Sequence, residues 1–519
     1  MRAQHMHAEG GTTALLPDHG PRSTADLLQE AAAAAPQRAA LVCGNERIEY
    51  ADLAGRAERL AGGLAARGLG PGDPIALTLG NTPAFVTSFF AIAALGGIAV
   101  PLNPQFEETE LEFYLREAGV RAVIADPKRT SVSLRIASRL DRTIDVISTG
   151  RPGRRVPALD SLLDGPALDA AAAGTDDDAV YQYSSGSTGR PKRAPRTHAQ
   201  LLAEADSLVA TLGLREDDTI LCAIPLHHTY GLGCCLTAAV RSRATLVLDE
   251  SRPVTLRRMR ILKLLENEGV TVFPSVPYIL RLLAESSTTV DLERLRLCFS
   301  AAAALPRSTF DGFRNKFGVA ARQLYGCTEA GAVSANLDED PDATAASVGR
   351  PIEDVDVRIV DEAGNQLEPG RIGEIAISSP AMTRGYTRHD EQTRLAFRDG
   401  YFFTGDRGRL DEEGRLFITG RKKLLIDVRG DKVDPVEVED VLATHPKVRE
   451  VVVVGAKGSV EGEELVKAVV VPDGACEGRE LIRFCRERLV RYKVPELVEF
   501  RDEIPKSATG KILRKYLVE

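Results

Sequence analysis

The chain has 519 residues, of which 44% are hydrophobic and 27% charged, and its formal net charge is -8. That length exceeds one compact core and calls for several domains or subdomains in an ordinary soluble globular protein. The acidic balance argues against a nucleic-acid binder, while leaving nucleotides open, because phosphates are often held by local backbone donors.

In chain order, residues 1–22 are polar, rich in Gly and His and without a signal-peptide core, and read as a mobile tail. From about residue 23 helical and strand patterns alternate. Ala51–Arg67 has helical spacing of Leu and Ala, with Gly68 and Gly70 as stop signals. Ile75–Leu79 reads as a strand. Phe85–Leu102 is the most apolar stretch, but Gly96, Gly97 and Pro101 interrupt it. It reads as a buried helix and a strand and makes a poor membrane span, so a cytoplasmic protein with no membrane span is expected. Ala122–Ala125, Ile220–Ile224, Thr245–Leu248, Val270–Phe273 and Leu295–Phe299 are further short apolar runs between helices, which predicts largely parallel sheets covered on both faces. Residues 151–178, rich in Ala, Gly, Pro and Asp, read as a surface connection. From Ser347 the strands shorten and turns multiply, as at Asp361–Gly364 and Asp411–Gly414, both of hairpin type. A new small α/β unit follows, with strands at Val451–Val454 and Val466–Val471, and the boundary falls close to Lys423. The eight cysteines form no CxxC pair. His227 and His228 near Cys234 and Cys235 match no zinc spacing, so reduced, mostly buried thiols are expected.

The sharpest local signal is Tyr183-Ser-Ser-Gly-Ser-Thr-Gly-Arg-Pro-Lys192. Ser184, Ser185, Gly186, Ser187, Thr188 and Gly189 put four hydroxyls and two glycines in six positions, and Lys192 follows. Glycines let the backbone approach phosphate oxygens, hydroxyls and amides donate to them, and Lys192 adds a point charge. A plain Ser/Gly linker would not need the Pro191-Lys192 ending. No Walker A pattern is present, which disfavours a P-loop NTPase.

This segment resembles the phosphate loop of the adenylate-forming superfamily, which includes acyl-CoA synthetases, adenylation domains of peptide synthetases and luciferase. Four further motifs resemble that family in order and spacing: Pro225-Leu-His-His-Thr-Tyr-Gly231, Tyr325-Gly-Cys-Thr-Glu329, Tyr401-Phe-Phe-Thr-Gly-Asp406 with Gly420-Arg421, and Pro505-Lys-Ser-Ala-Thr-Gly-Lys511. The resemblance covers residues 23 to 519 and implies an α/β fold: a large N-terminal domain of stacked α/β sheets plus a β-rich subdomain (23–422), and a small mobile α/β C-terminal domain (423–519). It implies that His228 gates an acyl pocket shared with Thr229, Tyr230, Ala301 and Ala302. It implies that Tyr325, Gly326 and Thr328 meet the nucleotide, with Thr328 at its phosphate end, and that Glu329 holds Mg2+. Asp406 would bind the ribose hydroxyls and Arg421 the ribose or a phosphate. Lys511 would serve adenylation, and Lys423 would be the hinge. One acidic ligand suffices for Mg2+, which takes its other oxygens from phosphate and water.

The chain departs from the family pattern at Arg193, where glycine is common, and at Ser300–Leu305, where Ala301 and Ala302 stand in a segment that usually has glycines. Asp427 and Arg429 lie at positions that vary between subfamilies. The implied chemistry is attack of a carboxylate on the α-phosphorus of ATP, giving acyl-AMP and pyrophosphate, followed by acyl transfer to a thiol. Three readings follow. The chain is an acyl-CoA ligase using coenzyme A; or a stand-alone enzyme loading the phosphopantetheine of an acyl carrier protein; or a non-catalytic acyl or nucleotide sensor. Pro195–His198 and Leu221–Pro225 resemble aryl-acid adenylating enzymes, which load carriers, whereas the intact Glu329, Asp406, Arg421 and Lys511 speak against the sensor. In amino-acid-activating relatives an aspartate just after the gating position pairs with the ammonium. Here Thr229 stands there, so a fatty, aryl or other hydrophobic acid without a free α-amino group is expected.

Overall fold

The computed structural model describes residues 22–151, 153, 156–168, 173–184, 191–250, 254–421, 426–428, 431–457, 464–489, 491–507 and 512–518. The expected N-terminal tail, apart from Arg22, lies outside them, as do Ser185, Gly186, Ser187, Thr188, Gly189, Lys423, Arg429 and Lys511.

Two sheets form the larger unit. In one, the parallel strands Ala39–Cys43, Thr245–Leu248, Thr219–Cys222, Val272–Ser275, Leu297–Ser300 and Ala321–Cys327 lie side by side. Antiparallel strands Glu46–Glu49 and Gly331–Ala335 flank this core, and Arg350–Pro351 closes the second edge. In the other, Asp145–Ser148, Ala122–Ala125, Pro74–Thr78, Ile98–Pro101 and Asp178–Ser184 run parallel, and Lys192–Thr197 turns back antiparallel. Their strands read as continuous apolar runs because helices cover the faces. The helix Pro83–Ala94 is apolar nearly all round and is buried along most of its length in the main core, with Phe85, Phe89, Phe90 and Ile92 at 1% exposure or less.

A third sheet is antiparallel throughout: Asp356–Val360, Gly373–Ser378, Tyr401–Leu410 and Phe397–Arg398, with Leu416–Arg421 also paired to Tyr401–Leu410. It is the expected β-rich part, and both expected turns occur, since the Gly364 amide bonds to the Asp361 carbonyl and the Gly414 amide to the Asp411 carbonyl. The smaller unit holds the ribbon Ile426–Val428 with Asp431–Val433 and a sheet of Val448–Lys457, Glu464–Pro472 and Leu497–Phe500, packed on helices Pro435–Ala443 and Gly478–Arg486. No described helix is long and apolar enough to cross a membrane.

Some expectations shift. The strands expected at Val270–Phe273 and Leu295–Phe299 run over Val272–Ser275 and Leu297–Ser300. Val270 is buried but belongs to the preceding helix end, where its amide bonds to the Leu265 carbonyl at 3.1 Å, so apolar character there marks a lead-in. The stretch 151–178 is not only a surface connection. It contains a helical turn, Leu159–Leu162, with Leu159 and Leu162 buried against helix Tyr50–Ala65. Gly62 and Gly63 permit that approach: a Cβ on Gly62 would stand 1.9 Å from the Pro166 carbonyl oxygen, and one on Gly63 2.5 Å from that of Leu162.

Candidate active site

Motifs far apart in sequence converge where the strands of the two large sheets end. The hydroxyl-rich loop joins antiparallel neighbours, with Ser184 opposite Lys192, so its described stem is a hairpin. Lys192 lies with its Nζ 4.7 Å from the centre of the Tyr386 ring. The Tyr386 hydroxyl donates to Glu329 Oε1 at 2.7 Å, with the Ser184 side chain beside it. Burial first, then the Glu329 carboxylate, holds the Tyr386 phenol protonated far above its ordinary range, so it remains a donor. The stem of the hydroxyl-rich loop and the acidic turn are thus tied through one tyrosine that sequence reasoning missed. Tyr386 sits in Ala381–Thr387, a stretch with no motif singled out from the sequence.

Glu329 occupies the turn between strands Ala321–Cys327 and Gly331–Ala335 and is 8% exposed. A buried ion pair supports this turn. Arg196, on strand Lys192–Thr197, donates to Glu204 Oε2 at 2.7 Å, and Glu204 Oε1 accepts from the Ala332 amide at 2.9 Å. Gly331 and Gly233 leave room for that carboxylate, since a Cβ on either would fall 2.6 Å from it. Gln200 caps its own helix through Thr197 and also donates to the Met382 carbonyl at 2.6 Å, which fixes the segment carrying Tyr386.

A second cluster forms beside the first. The Tyr325 hydroxyl donates to Asp406 Oδ2 at 2.6 Å, and Arg421 Nε donates to Asp406 Oδ1. Asp406 is buried, and Gly405 at φ 73° makes the bend that turns it inward. Burial opposes the charge on Arg421, but Asp406 outweighs it and raises the guanidinium's pKa. The carboxylate is therefore paired and aligned, with capacity left to accept from hydroxyl groups. Gly326, exposed, lies near the end of strand Ala321–Cys327, and Thr328, partly exposed, lies on the turn beside Glu329.

The third part is the His228 segment. Asn81, buried on the loop after Pro74–Thr78, donates to the carbonyls of Cys222 (3.2 Å) and Ile224 (2.9 Å) and accepts from the Leu226 amide (2.9 Å). One side chain of the second sheet thus sets the course of the chain leaving the first. His228 Nδ1 accepts from the Tyr230 amide at 3.2 Å and caps a short turn, after which Leu232–Thr237 winds as a π-helix. Thr229 and Tyr230 are buried. The Tyr230 phenol lies by the Ser275 backbone and near Cys234, Cys235 and Cys298, and burial keeps it protonated. Ser275 and Ser300, opposite one another at the carboxyl ends of paired parallel strands, have buried hydroxyls without a hydrogen-bond partner. Ala301 is buried, whereas Ala302 is exposed and left-handed at φ 68°.

No group of three or more His, Cys, Asp or Glu suited to a metal ion occurs among the described residues. A single carboxylate, Glu329, beside a phosphate-loop stem is a donor set that fits Mg2+ held chiefly by phosphate and water oxygens, and fits poorly a metal needing a full protein cage.

This geometry agrees with what the chain is similar to. It matches the family described as "AMP-binding enzyme" over residues 28–387 and the "AMP-binding enzyme C-terminal domain" over residues 437–511. A probable CoA ligase of Humulus lupulus, CCL9, is 32% identical over 95% of this chain and 95% of its own. A feruloyl-CoA synthase of Amycolatopsis sp is 34% identical over 92% and 95%. Crystal structures of MatB from Rhodopseudomonas palustris, 30% identical, cover 95% of this chain and 98% of theirs, with a TM-score of 0.87 for the ATP-bound form and 0.74 for the apo form. The chain belongs to the AMP-binding enzyme family and, within it, to the acid–thiol ligases of the CoA ligase type.

Proposed function

We propose that this ligase activates an aryl or other hydrophobic acid without a free α-amino group as its acyl-adenylate and passes the acyl group to coenzyme A. The observation that carries this reading is the pair of side-chain clusters, Lys192–Tyr386–Glu329 and Tyr325–Asp406–Arg421, one on the turn that holds Glu329 and the other on the strand that leads into it. The first suits the triphosphate and the second the ribose of one nucleotide. Glu329 would hold Mg2+, which when bound supplies charge neutralisation to the leaving pyrophosphate. Asp406 would accept from the ribose hydroxyls and so place the α-phosphorus. Lys511 would lie against the carboxylate and the α-phosphate. A carboxylate oxygen then bonds to that phosphorus and the bond to pyrophosphate breaks. In the second step the thiol sulfur of coenzyme A bonds to the acyl carbon and AMP leaves, the thiol proton passing to solvent. Lys423 would act as the pivot between the two arrangements, with the domain boundary at 422/423.

The acid's tail would meet Tyr230, Ser275 and Ser300. A buried hydroxyl without a partner costs free energy, and a ligand oxygen or nitrogen offsets that cost. An aryl acid with a hydrogen-bonding substituent therefore fits better than a plain alkyl chain. Eight unpaired cysteines suit a reducing compartment such as the cytoplasm. The test is acid-dependent pyrophosphate exchange with benzoates, hydroxylated or amino-substituted aryl acids, fatty acids and α-amino acids. Coenzyme A is then compared with a phosphopantetheinylated carrier protein as acceptor. Strong exchange with α-amino acids alone, or transfer only to the carrier, would overturn the reading.

A further inference from the structure

Where the smaller unit faces the larger one, charges from both meet. Glu450 lies on strand Val448–Lys457 of the smaller unit, and Arg281 on helix Pro277–Ala284 of the larger. Arg281 Nη1 is 3.0 Å from Glu450 Oε1, and Lys506 donates to Glu450 Oε2. Tyr278, one turn before Arg281, lies under both cations, with its ring centre 5.8 Å from the Arg281 guanidinium and 5.9 Å from Lys506 Nζ. The three charged side chains are only 20–30% exposed, so the cluster is partly dehydrated and stronger than an open surface pair.

Its place in the chain gives it a consequence. Lys506 pairs through its backbone with Ile512, and the Leu513 amide donates to the Pro505 carbonyl at 2.9 Å. These bonds close the base of the segment that contains Lys511, the residue next to Ile512. Ile512 itself packs on the apolar cluster of Val452, Val454, Val469 and Val471 in the smaller unit. Glu450 therefore ties the base of the Lys511 segment to a helix of the larger unit. The chain as a whole is more similar to the ATP-bound than to the apo form of MatB. Arg281 has a second acidic neighbour on its own helix end, Glu285, at 3.9 Å, which can keep the arginine when Glu450 leaves.

We propose that Arg281 and Glu450 are positioning residues for the first half-reaction: their ion pair across the two units holds the base of the Lys511 segment in the adenylating arrangement and must break for thioester formation. This rests on the reading of Lys511 as the adenylation lysine. Neither residue touches substrate, so the pair acts on the population of one arrangement rather than on substrate affinity.

Arg281→Gln and Glu450→Gln are assayed as full-length protein in each half-reaction separately: pyrophosphate exchange, and thioester formation from supplied acyl-AMP. Each variant is expected to lower kcat for exchange about three- to tenfold. KM for ATP and acid should stay within about twofold, and the second half-reaction should be unchanged or faster. Arg281→Lys should restore exchange, and the double variant should lose no more than the worse single one, as a shared contact requires. Equal losses in both half-reactions, no loss in either, or additive losses would overturn the proposal. Should Glu450→Gln not fold, Arg281→Gln with its lysine control decides alone, since that side chain lies at the rim of the larger unit. Lys511→Ala is run alongside. If it spares exchange, the reading of Lys511 is what fails, whatever the coupling between Arg281 and Glu450.

Discussion

Tyr386 gives Glu329 a fixed direction by donating to its Oε1. A buried hydrogen bond to a charged group is worth about 1.5–3 kcal/mol, or about ten- to a hundredfold in rate if it acts in the transition state. Tyr386→Phe is expected to lower kcat of pyrophosphate exchange by that factor while KM for the acid holds, as stopped turnover assays would show. Unchanged exchange would mean that Glu329 is held by other contacts. His198 makes a second prediction, on stability. It is 1% exposed, its Nδ1 accepts from the Thr24 amide at 3.2 Å, and burial pushes its pKa down to about 4, only partly countered by Asp177 and Asp26. The folded pKa is below the unfolded value of 6.5, so the unfolded chain takes the proton first as pH falls. Stability from this group is complete above about 6.5 and is lost as pH falls from there to about 4, amounting to about 3 kcal/mol. His198→Gln should therefore show a flatter decline of Tm than the parent between those two pH values, and parallel profiles would rule the group out.

At the scale of elements, the sequence made the order of helices and parallel strands legible because each strand is a short apolar run and each helix a longer periodic one. The site was legible where residue types are unusual for their setting, as in the hydroxyl-rich loop or the His228 segment. It was not legible at Asn81, Gln200, Glu204 and Tyr386. These are ordinary residues in helices and loops, and their importance arises only from packing against elements 57 to 182 positions away. The segment Ser300–Leu305 lies between these cases. Its alanines depart from the family pattern, and within the segment Ala302 alone is left-handed, at φ 68°, while the Leu305 amide is anchored by Gln323 Oε1 at 3.2 Å. A left-handed L-residue costs about 1–2 kcal/mol, against about 0.5–1 kcal/mol for the greater unfolded freedom of glycine. Ala302→Gly is thus expected to raise stability by about 0.5–1 kcal/mol in denaturant titration, where a glycine would normally lower it. Ala301→Gly, buried and not left-handed, should lose stability. A loss at both positions would show that the loop does not hold this conformation in solution.

For the whole molecule the decisive question is how one site serves two reactions. Arg421 ends the last strand of the larger unit and is bound to Asp406, while Ile426 begins the ribbon of the smaller unit, so residues 422–425 are the covalent link between an anchored end and a separate core. Around that link the contacts are close. A Cβ on Gly420 would fall 2.5 Å from Asp434 Oδ2, the side chain that caps the first helix of the smaller unit. The rotation of the smaller unit that we propose would be taken up by a few torsions between these fixed points, as hinges at element ends commonly do. Lys423 is the residue we assign to that role. Proline at 423 restricts φ to about -65° and disfavours the helical region for the residue before it, so it should hold whichever arrangement suits those values. On the proposed reading that the arrangement described is the adenylating one, Lys423→Pro is expected to keep pyrophosphate exchange within about fivefold of the parent while slowing thioester formation from acyl-AMP by at least about tenfold. Small-angle scattering should show one arrangement with or without coenzyme A, against a shift in the parent. Undiminished thioester formation in a folded Lys423→Pro protein would place the pivot elsewhere in 422–425 and move the domain boundary with it.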